Sequence, residues 1–161
     1  MIMEIADQGQ NIQELQLVIF RLAKEEYGLP ITQVQEINRL VPITKLPQTP
    51  SFMEGIINLR ERIIPVIDLR KRFQLDLADC TDDTRIIIVE VNGQTVGVIV
   101  DAVTEVVRLV STSVEPPPPS FVLDAKYIHG VGKLDNRLLI LLNIDNILSE
   151  QEEIALQQMS K

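Results

Sequence analysis

The chain has 161 residues, 45% hydrophobic and 24% charged, with 15 basic against 23 acidic side chains for a net charge of −8. That length supports a real core without staples, and the balance is that of a globular protein, not a disordered regulator, coiled coil or collagen-like rod. The acidity opposes binding to nucleic acid or anionic membrane, and one cysteine, Cys80, leaves no disulfide framework or zinc cluster.

Taken in chain order, apolar runs at 17–22 and 27–31 read as a hairpin around Ala23-Lys24-Glu25-Glu26. Residues 32–40 read as one helical turn, capped by Thr32, leading into a strand. A second hairpin pairs 55–59 with 63–67, where Pro65 indicates an edge strand or a strand start. Runs at 86–91 and 96–100 flank Asn92-Gly93, a strong hairpin signal. Residues 101–109 again read as a helical turn into a strand, with Asp101 as the cap. The prolines at 116–119 form a stiff connector that cannot join a ladder. A last hairpin pairs 130–134 with 138–142, and 144–158 can form a short helix. No run approaches the ~18 apolar residues of a membrane-spanning helix. Glu4 and Asp7 stand where a secretory signal needs a basic and then an apolar stretch, so a cytoplasmic protein without direct membrane insertion is expected.

Chemistry is hard to place on this chain. Its one histidine, His129, has no partner at ligand spacing, and no phosphate-binding or nucleophile motif is present. Cys80 lies among Asp79, Asp82 and Asp83, which disfavour a thiolate. The Asp82-Asp83 pair lacks the spacing of a calcium loop. No catalytic residue, metal or cofactor is expected.

The chain is duplicated. At an offset of 69, Gly28, Val34, Glu36, Arg39, Leu40 and Val41 fall on Gly97, Val103, Glu105, Arg108, Leu109 and Val110, six identities in fourteen positions. Average residue usage gives about one. At an offset of 75, Gly55, Leu59 and Arg62 fall on Gly130, Leu134 and Arg137. Five short strands per half predict two small closed barrels sharing an apolar interface. The expected division is 15–83 for the first barrel, 84–148 for the second and 149–161 for a helical tail.

The run Gly55-Ile56-Ile57-Asn58-Leu59-Arg60-Glu61-Arg62-Ile63-Ile64-Pro65-Val66-Ile67-Asp68-Leu69-Arg70 resembles the signature of CheW-type chemotaxis coupling proteins. Flanking support comes from 34–37, 96–101 and 139–144, and the likeness covers about Leu15 to Leu148. The resemblance implies an all-β fold of two five-stranded SH3-like barrels packed on one another, with short helical turns and a C-terminal helix. It implies a non-enzymatic adaptor that couples the cytoplasmic tips of transmembrane chemoreceptors to the regulatory domain of the histidine kinase CheA. Other CheW-type proteins are further possible partners, and recruitment to receptor arrays at the inner face of the membrane follows. A related pilus-motility or other receptor pathway is the alternative, and a small-molecule binding barrel the rival from another class.

One departure stands out: where the family has glycine after Asn-Leu-Arg, this chain has Glu61, which disfavours the positive φ that glycine supplies. By resemblance, Arg60 maps onto the receptor-coupling arginine and Glu36 onto a position in the same contact. The repeat mate of Arg60 is Asp135, so no barrel requirement dictates arginine there, whereas Glu36 has Glu105 as an identical mate. Val34 and Ile37 can line the apolar part of a groove for a receptor helix, with core filling as their alternative. Arg62 is the substitute should Arg60 turn toward a local acid. Phe121, after the proline run, and the weaker candidate Glu115 match a region that contacts the kinase or a second coupling protein.

Overall fold

The computed structural model describes residues 13–47, 51–118 and 125–159. The strands run in order β1 (Glu14–Leu22), β2 (Glu25–Pro30), β3 (Val34–Arg39), β4 (Met53–Leu59) and β5 (Arg62–Asp68). After the short helix α1 (Leu69–Arg72) come β6 (Arg85–Val91), β7 (Gln94–Val100), β8 (Ala102–Val110), β9 (Val114–Glu115), β10 (Ile128–Leu134) and β11 (Arg137–Leu142). The chain closes with α2 (Glu150–Met159).

These strands form two SH3-like sheets, but the sheets are not the sequence halves. One has the order β8-β1-β2-β11-β10-β9 and the other β3-β6-β7-β5-β4. Each sheet therefore takes the opening hairpin of one half and the following strands of the other. This corrects the expected division at residue 83: the halves have exchanged their hairpins. The two orders superpose strand for strand under the repeat, β9 being the extra strand. The parallel pairings match as well, with Gly28 opposite Leu141 in one sheet and Gly97 opposite Val66 in the other. The strand pattern marks which residues are buried and leaves open which neighbour buries them, so the exchange is invisible in sequence.

Three cores result. Leu17, Ile19, Leu139 and Leu141 fill the first sheet's interior, and their repeat mates Ile86, Ile88, Ile64 and Val66 fill the second. Between the sheets lies a larger core that includes Phe20, Leu22, Leu29, Ile67, Ile87, Val98, Val100 and Leu142. Strands buried on both faces lose their alternation, which is why β1 and β6 read as continuous apolar runs. At ~25 cal/mol per Å2, burial of each such side chain contributes about 1.5–3 kcal/mol before the entropy of ordering is subtracted.

Local expectations hold in part. Asn92 and Gly93 turn the β6–β7 hairpin with φ of 49° and 84°, as the dipeptide demands. A single 3-10 turn, Ile31–Gln33, precedes β3 as expected, but Thr32, expected as its cap, lies inside it; Pro30 holds the N-cap position and no side chain bonds there. Its counterpart before β8 is missing: Asp101, expected as a cap, instead accepts from the Ala23 amide at 2.8 Å and the Arg70 Nε at 2.8 Å. A 3-10 turn follows β8 instead, at Ser111–Ser113. Pro65 lies inside a central strand, yet β7 pairs with β5 only from Val66 onward, so the missing N–H breaks no registered pair on that side.

The C-terminal helix is docked across the seam. Ser149 and Glu152 form a reciprocal capping box, with bonds of 3.1 and 2.8 Å. The Glu152 carboxylate also takes a bidentate ion pair from Arg72 at 2.6 and 2.9 Å. That guanidinium sits 4.9 Å over the Phe52 ring. Asn92 of the β6–β7 turn bonds Glu153 from the other side.

Gly28 and Gly97 answer to packing. A Cβ on Gly97 would lie 3.0 Å from Ile86 Cγ2, and one on Gly28 3.3 Å from both Ile19 Cδ1 and Leu141 Cδ2. Gly97→Val should therefore destabilise by about 1–3 kcal/mol through overpacking at the parallel pair, measured as a lower urea midpoint with unchanged m-value.

Candidate functional site

The β4–β5 hairpin closes through two residues, Arg60 and Glu61, with Leu59 opposite Arg62. Both turn residues hold positive φ, 51° and 66°, the geometry that matches the twist of the flanking strands. Glutamate in this region costs roughly 1 kcal/mol where glycine would cost none sterically. The departure at Glu61 therefore leaves the turn in the left-handed form and stores strain beneath Arg60.

The turn lifts Arg60 to the surface, its side chain 75% exposed, and aims one guanidinium nitrogen at Glu36 Oε2 on β3. The other Glu36 oxygen accepts from Asn38 Nδ2 at 2.6 Å. The Asn38 amide first, then Arg60 and the more distant Arg62, hold the Glu36 carboxyl below its usual range against the opposing effect of desolvation. Arg62 donates to Thr95 Oγ1 of β7 at 3.1 Å. Val34 is half-buried and packs on the inter-sheet core, while Ile37 is 40% exposed. Arg60, Glu36 and Arg62 are thus brought into one electrostatic group, with Val34 and Ile37 on the same strand as Glu36.

The repeat separates scaffold from display. In the other half, Arg137 (mate of Arg62) donates to Glu26 at 3.0 and 2.8 Å and to Glu105 (mate of Glu36) at 2.7 Å. Its side chain is 32% exposed and ties three strands together. Hydrogen bonds to Glu26 and then Glu105 hold it firmly charged. Arg137 is a clamp saturated by its own fold. Arg60 has one carboxylate partner and turns the rest of its donor fork outward, free for a carboxylate or carbonyl of another molecule.

A second feature escaped the sequence. A hollow of about 620 Å3 is lined by Leu15, Leu17, Pro30, Ile31, Val114 and Leu142, with His129 at its edge. Its repeat-equivalent place holds only about 170 Å3, narrowed by Ala78, Asp79 and Cys80 and by the Arg70–Asp101 pair. Among the described residues, the connector narrows one hollow and no segment narrows the other, at whose rim Ile31 is 37% exposed. Its lining comes from distant segments of both halves, so no local pattern announces it. Thr95 is likewise reached only through the tertiary fold, whereas Asn38 could have been found from strand alternation with Glu36. Glu115 is exposed beside the hollow's Val114 and pairs with Lys133 at 2.6 Å. Phe121 lies outside the described residues. Among the described residues, no group of three or more His, Cys, Asp or Glu is placed to hold a metal ion.

The strained turn gives a direct check. Glu61→Gly should raise stability by up to about 0.5 kcal/mol, the steric relief less the added freedom of the unfolded chain. Urea denaturation should show the higher midpoint.

Comparison with known proteins closes the identification. The family model of the CheW-like domain matches residues 16–152. The chain is 36% identical over 147 residues to the chemotaxis protein CheW of Klebsiella aerogenes, covering 91% of this chain and 89% of that one. It is 34% identical over 143 residues to the chemotaxis protein CheW of Helicobacter pylori, covering 89% and 87%. Among solved structures, the scaffolding protein TtCheW from Thermoanaerobacter tengcongensis is similar with a TM-score of 0.80 at 45% identity, over 89% of this chain and 93% of that one. With the family model matching most of the chain and relatives above 30% identity over nearly its whole length, the chain belongs to the CheW-type family of chemotaxis coupling proteins.

Proposed function

We propose that this protein is a non-enzymatic adaptor that couples the cytoplasmic tips of chemoreceptors to the regulatory domain of the histidine kinase CheA, and is recruited by them to arrays at the inner face of the membrane. The observation that carries the receptor assignment is the contrast between Arg60 and Arg137. One arginine is consumed by the fold, and the other is held out on a strained turn with its donors facing solvent. Arg60, Glu36 and Arg62 supply the polar part of the receptor contact, and Val34 and Ile37 the apolar part, in a helix-in-groove mode.

Kinase docking belongs elsewhere on this reading. The hollow beside Glu115 is lined mostly by apolar side chains and reaches solvent at Ile31. Glu115 extends the same face, and Phe121, outside the described residues, is assigned to the kinase contact from the sequence alone. Scaffold function of this sort needs no reactive group, only two surfaces that bind independently and a rigid body between them.

Two substitutions test the separation. Arg60→Ala should leave stability within about 0.5 kcal/mol and weaken receptor binding by about 2 kcal/mol or more, the scale of an interface hot spot. Kinase affinity should stay at the wild-type value. Ile31→Glu places a charge in the open hollow and should do the reverse. Both affinities can be read by calorimetry on purified parts, and a variant that loses both together would overturn the assignment of separate surfaces.

A further inference from the structure

Among the described strands, every pairing other than hairpin neighbours and the short β9 joins one half of the chain to the other. β1 pairs with β8, β3 with β6, β11 with β2, and β5 with β7. Within a half, the registered pairs are the hairpins β1–β2, β4–β5, β6–β7 and β10–β11, together with β9 on β10. A half alone has an opening hairpin and a set of strands that belong to different sheets, so it can complete neither. Isolated two-stranded hairpins are marginal in water at best.

The contacts are also reciprocal. Gly28 of the first half packs on Leu141 of the second, and its mate Gly97 of the second half packs on Val66 of the first. Residue i meeting j while the mate of j meets the mate of i is the signature of a self-complementary twofold interface. Here it occurs within one chain.

The covalent link between the halves contributes little to this arrangement. Residues 76–83 are exposed throughout, with Leu77 at 67%. The hydrogen bonds that they make run to near neighbours: Arg70 Nη1 to the Asp76 carbonyl at 2.6 Å, Thr81 N to Thr84 Oγ1 at 2.8 Å, Arg85 Nη1 to the Asp82 carbonyl at 2.8 Å. The open hollow, by contrast, takes Leu15, Leu17 and Ile31 from the first half and Val114, Leu141 and Leu142 from the second. It exists only where two halves have met.

We propose that the protein is a tethered pseudo-dimer: each half-chain is a binding partner for the other, in the same molecule or from a second copy, and the hollow is a site that their association creates. The connector sets the local concentration of the halves and is dispensable for their recognition.

Cutting the folded full-length chain tests this. A protease recognition sequence inserted between Asp79 and Cys80 allows cleavage after folding; nicking the wild-type chain at exposed Leu77 gives the same test without an insertion. After the cut, the two fragments should co-elute at the size of the uncut protein. The urea midpoint, independent of protein concentration before the cut, should rise with concentration after it, because unfolding now releases two molecules. Mixing cut protein with a tagged cut preparation, then unfolding and refolding together, should yield tagged first halves paired with untagged second halves. Fragments that separate or precipitate on cutting while the uncut chain stays folded, or a cut chain that fails to reassemble where the uncut chain refolds, would overturn the proposal.

Discussion

The exchange of hairpins between the two halves is the constraint on which the rest of the molecule depends. A sheet completed by a strand pair from elsewhere in the chain must accept that pair on a fixed register, and both faces of the donated strands become interior. Phe20 and Leu22 face the core between the sheets, while Leu17 and Ile19 on the same strand face the interior of their own sheet. The opening hairpin is therefore the joint between two cores. This explains the density of Ile and Val in β6, where β-branched side chains fill both faces of a pleated strand.

A duplicated fold also supplies its own internal control for function. Equivalent positions meet the same architectural demands, so a side chain that departs from its mate is relieved of them. Glu36 and Glu105 are identical and both hold an arginine, yet by different geometries: Arg137 reaches Glu105 from within a strand, and Arg60 reaches Glu36 from a turn. In the position equivalent to Arg60 stands Asp135, also with positive φ, 54°. The first turn residue thus shares positive φ in both halves, whereas the second does so only at Glu61 and not at its mate Asn136, and the charge differs as well. Among the described residues the two hollows differ in the same way, one narrowed by the connector and the other not.

The hairpins, their turns and the repeat were legible in the sequence because they are local or self-similar: Asn92-Gly93 dictates its turn whatever surrounds it. Arg60 was legible because the repeat isolates it. Which sheet each hairpin enters was not legible, since apolar pattern records burial and not the neighbour. Asp101 misled for a related reason. A carboxylate before a strand looks like a cap until a distant arginine and a distant amide claim it. Thr95 and the lining of the hollow depend on contacts between segments far apart in the chain, and no periodicity carries that information.

The C-terminal helix has ten residues, shorter than the ~12–15 that an isolated helix needs to be even marginal in water. Its helicity is borrowed from Arg72, Phe52 and the β6–β7 turn, which lie at the junction of the two sheets. Any loosening of that junction withdraws the Arg72 ion pair and the Asn92 bond at once, leaving only the helix's own capping box. The helix consequently behaves as a strain gauge for the middle of the molecule: a probe attached there would register the integrity of a seam to which its described residues are joined through the Arg72 guanidinium and the Asn92 and Gln94 amides.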